Sequence, residues 1–68
     1  MISYEPLFTT MKRKKVSSYE LIVKRGFSKS IYYSIKKGNS CSTNTIDMLC
    51  KLLDCSVNEV MEYVPDEK

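Results

Sequence analysis

Apolar residues recur at helical spacing in five short segments of this chain of 68 residues. The predicted helices cover residues 5–14, 18–25, 29–37, 43–54 and 57–63. In the fourth helix, the i, i+3, i+4, i+7 stripe consists of Ile46, Leu49, Cys50 and Leu53. No stretch alternates apolar and polar residues convincingly. The pattern therefore predicts a single all-α domain over residues 1–68.

The segment from Ser17 to Gly38 carries the strongest local signals. Ser17 is the expected N-cap of the second helix, and Glu20, three residues later, completes a capping box. Gly26 supplies the left-handed residue that ends this helix, and Ser28 is the expected N-cap of the next one. The sequence thus predicts two short helices joined by a tight turn, with Gly38 ending the second helix.

The third predicted helix has one apolar face and one polar, cationic face. On a helical wheel of about 100° per residue, the core side receives Tyr32 and Ile35, next to Phe27 in the turn. The opposite side carries Ser30, Tyr33, Ser34 and Lys37. Tyr33 is either a plain surface residue or a contact to a partner, and we favour the contact.

Composition excludes several classes of function. The apolar fraction of 43% and the charged fraction of 28% are ordinary for a folded domain. No apolar run reaches the roughly 20 residues of a membrane span, and the first residues do not resemble a signal peptide, so a cytoplasmic location is expected. Three cysteines without any histidine or CxxC pair do not make a zinc site, and we expect reduced thiols. We expect neither a cofactor, a small-molecule ligand nor an enzymatic activity.

Charge is distributed very unevenly along the chain. Residues 1–53 contain ten Lys or Arg and three acids, whereas residues 54–68 contain one Lys and five acids. Nine of the cations lie between Lys12 and Lys37, where Glu20 is the only acid. A positive cluster on a two-helix unit favours a polyanionic partner. The run from Lys12 to Lys15 fits two roles equally, complementing the dipole of the first helix or contacting a phosphate backbone.

Residues 17–60 resemble the Cro/CI-like helix-turn-helix family, also called the xenobiotic-response-element type, of phage repressors and small bacterial regulators. The stretch GFSKSIYYSIKKG is similar to the turn and recognition helix of that family, and STNTIDMLCKLLDCSVNEV to its fourth and fifth helices. The positions that carry the resemblance are Leu21, Gly26, Ser28, Ile35, Gly38, Leu49, Leu53 and Val57. The resemblance implies a compact five-helix, lambda-repressor-like domain that inserts its third helix into the major groove of double-stranded DNA.

The resemblance also implies roles for individual residues. The base-reading positions of the family fall on Lys29, Ser30, Tyr33, Ser34 and Lys37. The expected phosphate contacts are Ser17, Ser18, Arg25, Ser28, Lys36 and Asn39. Serine stands at 18, 30 and 34 where relatives often carry glutamine or arginine, which predicts fewer direct base contacts and more dependence on DNA shape.

Two functions remain open at this point. The first is a sequence-specific regulator, most simply a repressor, that binds DNA as a homodimer through its fourth and fifth helices. The candidate interface residues are Met48, Met61, Tyr63 and Val64. The alternative is a protein-interaction module, antitoxin-like or an adaptor, that uses the same helical bundle, because this geometry alone does not guarantee DNA binding.

Overall fold

The computed structural model describes residues 1–66, so Glu67 and Lys68 of the acidic C-terminus lie outside the described part. Two short strands and three α-helices are present: β1 (Ile2–Ser3), α1 (Glu5–Arg13), α2 (Lys29–Lys36), α3 (Thr43–Leu53) and β2 (Glu62–Tyr63). A π-helix, Glu20–Lys24, lies between α1 and α2, and a 3-10 turn, Val57–Glu59, follows α3. The first, third and fourth helices thus end within one residue of their predicted bounds.

One hydrophobic core joins all the helical segments. The most deeply buried side chains are Leu7 of α1, Leu21 of the π-helix, Ile35 of α2, Leu49 and Leu53 of α3, and Val60 after the 3-10 turn. Because each α-helix and the π-helix contribute at least one of them, the π-helix and α2 are held by packing rather than by helix propensity. Truncating a buried leucine such as Leu49 to alanine is expected to cost about 2–5 kcal/mol.

The predicted fifth helix, residues 57–63, is wrong, and with it the five-helix count and the strictly all-α class. The segment forms one 3-10 turn and then β2, which pairs antiparallel with β1 in the register Ile2↔Tyr63 and Ser3↔Glu62. In a continued helix the Glu59 carbonyl oxygen would accept the amide of Tyr63. Here it accepts the Thr10 hydroxyl of α1 instead, at 2.7 Å. This hydrogen bond to α1 therefore occupies the carbonyl oxygen that a continued helix would have used as an acceptor.

Serine caps begin most helical segments, as the sequence predicts. Ser28 Oγ accepts the Ile31 amide at the start of α2, and Ser42 Oγ accepts the Thr45 amide at the start of α3. The capping box expected at Ser17 is only half formed. Ser17 Oγ accepts the Glu20 amide at 3.1 Å, but the Glu20 carboxylate contacts Arg25. The sequence therefore predicts the start of this helix correctly, but it predicts the wrong hydrogen-bond donor for the Glu20 carboxylate.

Candidate nucleic-acid interface

The turn between the π-helix and α2 sets the angle of the candidate site. The Arg25 amide donates to the Glu20 carbonyl oxygen at 2.9 Å, an i→i−5 bond that widens the last turn of the predicted α-helix into a π-helix. Gly26 follows at φ +79°, the left-handed region that the sequence predicts there. The Phe27 amide then donates to Leu21 O at 3.0 Å, and the Phe27 side chain is buried. The turn is thus closed by backbone bonds and plugged by an aromatic ring.

Helix α2 presents the polar strip expected from the helical wheel. Tyr32 and Ile35 are buried in the core. On the opposite side Ser30, Tyr33 and Lys37 are exposed, and Ser34 is half-buried. The Asn39 side-chain amide donates to Ser34 Oγ at 3.3 Å, which fixes the serine hydroxyl at one end of the strip. Exposure of this strip is the geometric condition for contact with bases; the contacts themselves stay a prediction.

A short aromatic stack holds Tyr33 on this surface. The Phe8 and Tyr32 ring centroids are 6.0 Å apart and edge-on, and Tyr32 meets Tyr33 edge-on at 5.1 Å. Burial raises the pKa of Tyr32, the neighbouring Tyr33 raises it further, and the polar side chain of Ser18 acts in the opposite direction. Tyr33 itself is 41% exposed, so its ring is braced from inside and open to a partner from outside.

The expected phosphate-contacting residues surround α2, and one of them is occupied within the molecule. Ser17, Ser28, Lys36 and Asn39 are exposed and Ser18 is half-buried. The Arg25 guanidinium donates to the Leu52 carbonyl oxygen and lies 3.3 Å from the Glu20 carboxylate. A phosphate contact by Arg25 therefore competes with two intramolecular contacts, and it stays a prediction.

The cationic surface is electrostatically unbalanced. Within residues 1–66, the ion pairs of side chains are Arg13–Glu59, Arg25–Glu20 and Lys51–Asp47. None of the lysines between positions 12 and 37 takes part in an ion pair with another described residue. The three acids in these pairs thus contact two arginines and Lys51, and the lysines near α2 are left available to an external anion.

Two open clefts meet at Ser18. The first lies between α1, residues 15–18 and α2, and it is lined by Phe8, Met11, Lys12, Lys15, Val16, Ser17, Ser18 and Tyr32. The second lies beside the start of α2 and is lined by Ser18, Tyr19, Ile22, Val23, Lys29 and Tyr33. The sequence identifies the serines, Lys29 and Tyr33 as site residues. It leaves the role of Lys12 to Lys15 open, because whether any of them borders the same surface depends on how α1 packs; Lys12 and Lys15 do.

Other chemistries find little support among the described residues. In residues 1–66 no group of three His, Cys, Asp or Glu side chains is arranged to hold a metal ion. All three cysteines are free and partly buried, and burial raises the pKa of the Cys55 thiol. No helix in this part of the chain is long and apolar enough to cross a membrane.

Comparison with protein families agrees with this geometry. The family model of the Cro/C1-type HTH DNA-binding domain matches residues 9–66. The chain belongs to this family. No curated protein and no solved structure matches it. The resemblance seen in the sequence is thereby confirmed, and the Cro/C1-type domain is a non-enzymatic DNA-binding module. Strand β1 precedes the matched residues, so the strand pair that closes this domain is formed in part by residues outside the family match.

Proposed function

We propose that this Cro/C1-type domain is a small transcriptional repressor that binds double-stranded DNA as a homodimer, with α2 in the major groove. The observation that carries the proposal is the exposed strip of α2, flanked by lysines that form no ion pair within residues 1–66. An α-helix fits the width of the major groove, and uncompensated lysines supply the attraction to phosphates. Occupancy of a promoter by such a domain is enough to exclude other proteins, which favours repression.

The proposed base contacts are Lys29, Ser30, Tyr33, Ser34 and Lys37. Lysine donates to guanine O6 and N7, serine pairs with several bases, and a tyrosine ring rests on a thymine methyl group. Only the lysines favour one base strongly, so recognition also depends on DNA shape. Ser17, Ser18, Ser28, Lys36 and Asn39 are proposed to position the backbone.

A homodimer is supported by an apolar surface on the side of α3. A cleft of about 300 Å³ is lined by Thr43, Ile46, Asp47, Cys50, Val57 and Met61. Val57 is exposed at this cleft, and Tyr63 and Val64, which follow Met61 in the chain, are exposed as well. Met48 is also exposed, but it lies on the opposite face of α3 and is not part of this surface. We propose that a second copy covers this surface. A patch of this size predicts a weak dimer that DNA stabilises by linkage, with half-site centres about 34 Å apart.

Selection of bound sequences from a random duplex library tests the function directly. At about 0.1 M salt we expect an enriched, two-fold symmetric site, with affinity that falls by a log–log slope of about 0.9 per phosphate contacted. No binding to any duplex even at about 50 mM salt, where phosphate contacts are strongest, would favour the protein-interaction module instead.

The dimer has its own test. Val57→Glu adds a charge to an exposed side chain of the apolar surface and should give a monomer that binds one half-site. Thr9→Glu adds the same charge to an exposed position of α1 and should leave the dimer on DNA unchanged. Sedimentation of both variants with the selected duplex measures the stoichiometry, and two copies bound in both cases would contradict the proposed surface.

A further inference from the structure

The cleft between α1, residues 15–18 and α2 borders the recognition surface. Its volume is about 490 Å³. The floor is apolar and made by Phe8, Met11, Val16 and Tyr32; the rim is made by Lys12, Lys15, Ser17 and Ser18. An apolar floor below a rim of lysines and hydroxyls suits a ligand that combines a sugar with a phosphate.

The four consecutive cations from Lys12 to Lys15 divide into two pairs with different surroundings. Arg13 Nη2 lies 2.7 Å from Glu59 Oε2, and Lys14 Nζ donates to the Asp54 carbonyl oxygen at 3.4 Å, so both contact the C-terminal part of the domain. Lys12 and Lys15, three residues apart, instead border the cleft and have no ion-pair partner within residues 1–66. Complementing the helix dipole does not require this division.

The backbone at Lys15 contributes to this arrangement. Its φ is +60°, in the left-handed region where glycine is the usual residue at the end of a helix. The Val16 amide then donates to Met11 O at 2.8 Å, which closes α1 and leaves the Lys15 side chain beside Ser17 and Ser18. A lysine is thus held at a position where glycine would adopt the same conformation without strain.

The cleft continues into the recognition surface. Ser18 lines both this cleft and the neighbouring one that contains Lys29 and Tyr33. A DNA strand that passes Ser18 at the edge of the major groove would therefore reach Lys12 and Lys15 next. This continuity favours nucleic acid over an acidic protein segment as the occupant.

We infer that this cleft holds the sugar–phosphate backbone of the bound DNA, with Lys12 and Lys15 as phosphate contacts beyond the helix-turn-helix itself. The inference rests on the duplex binding proposed above and extends its footprint to α1. The deoxyribose would lie on the apolar floor while both ammonium groups face the phosphates.

Salt titrations with a fluorescein-labelled 20-base-pair duplex of mixed sequence test this inference. Lys12→Gln and Lys15→Gly should each reduce the slope of log Kd against log salt by about 0.9. Extrapolated from 1 M salt, that slope corresponds to an affinity loss of about eightfold at 0.1 M. Lys14→Gln is the matched control, since it removes the same charge from the adjacent residue on the other side. We expect its affinity to change by about twofold or less, because only screened long-range charge is lost.

Lys15→Gly also separates binding from stability. Because glycine adopts φ +60° without strain, the Tm of this variant should be unchanged or higher, while its affinity for the duplex falls. A purely structural role of Lys15 would instead leave affinity unchanged at temperatures where the protein is folded.

Each contrary result has a distinct meaning. If the unaltered protein binds the duplex and both cleft variants behave like Lys14→Gln, the inference is wrong and the proposed function stands. If a Glu-rich decapeptide displaces the duplex from the unaltered protein and loses affinity for Lys15→Gly, the cleft belongs to an acidic protein partner. If the unaltered protein binds no duplex at about 50 mM salt, both the function and the inference fail.

Discussion

The Arg25 guanidinium donates a hydrogen bond to the carbonyl oxygen of Leu52, a residue 27 positions later in the chain. Leu52 lies in the last turn of α3, where carbonyl oxygens have no partner within the helix. The same guanidinium lies 3.3 Å from the Glu20 carboxylate. Arg25 therefore ties the end of the π-helix to the end of α3 and fixes the start of the turn that leads into the recognition helix.

We expect Arg25→Ala to reduce the free energy of unfolding by about 1 kcal/mol, the net contribution of one such hydrogen bond. The salt dependence of duplex binding should be unchanged, because the guanidinium is already engaged. Urea denaturation and a salt titration measure the two quantities.

Arg25→Lys is the control, since it keeps the charge and loses the planar fork that reaches both partners. It should lose nearly as much stability as Arg25→Ala. If Arg25→Ala instead keeps its stability and flattens the salt slope by about one unit, the phosphate contact predicted from the sequence is correct.

Replacing Tyr33 and replacing Lys36 should affect DNA binding in two different ways. Tyr33→Ser should change which base pairs are preferred, by about 1–3 kcal/mol, the usual cost of one mismatched base pair, because the ring faces the bases in the proposed complex. Lys36→Ala should weaken binding to every duplex and reduce the salt slope by about one unit.

Library selection with each variant measures both effects. Lys51→Ala removes a lysine that is paired with Asp47 on α3, and should change neither the preferred sequence nor the slope. Equal changes in preference for the Tyr33 and Lys36 variants would show that α2 is oriented differently from our proposal.

The helix-turn-helix was predictable from the sequence because its signals are local. Ser28 caps α2 as expected, and Gly26 and Gly38 adopt positive φ where the sequence predicts the helices to end. The spacing of apolar residues also placed Tyr32 in the core.

The errors come from residues that are far apart in the chain. Thr10 takes the Glu59 carbonyl oxygen, and Ile2 pairs with Tyr63, so the last segment is a turn and a strand instead of a fifth helix. Since no periodicity within one segment reports these partners, the strand pair and the cleft at Lys15 could be found only in the structure.

Gly26→Ala should isolate the energy of the left-handed turn. A Cβ atom at this position would have no atom within 4 Å apart from those of its two neighbours in the chain, so steric overlap with packed side chains contributes nothing. The cost should be that of the backbone at φ +79°, about 1–2 kcal/mol. Gly26→Asn should recover part of that loss, because asparagine tolerates this conformation. Equal loss in both variants, measured by urea denaturation, would point to a requirement other than φ.

The Glu59 carboxylate should give the domain an acid-sensitive stability. Its pKa is held below the ordinary value of 4.5, first because Oε1 accepts the Ser56 amide at 3.0 Å, and also because Arg13 lies beside it. The folded state therefore binds fewer protons than the unfolded state around this pH, so the contribution is complete above about pH 5 and is lost as the pH falls through the lowered pKa. In Glu59→Gln, Tm should consequently fall less steeply between about pH 5 and pH 3 than in the unaltered protein.

Glu62→Gln is the control, since it removes a carboxylate from β2, and its Tm should fall with pH as steeply as that of the unaltered protein. Parallel Tm curves for the Glu59→Gln variant and the unaltered protein at low ionic strength would show that the link between α1 and the 3-10 turn does not depend on this charge.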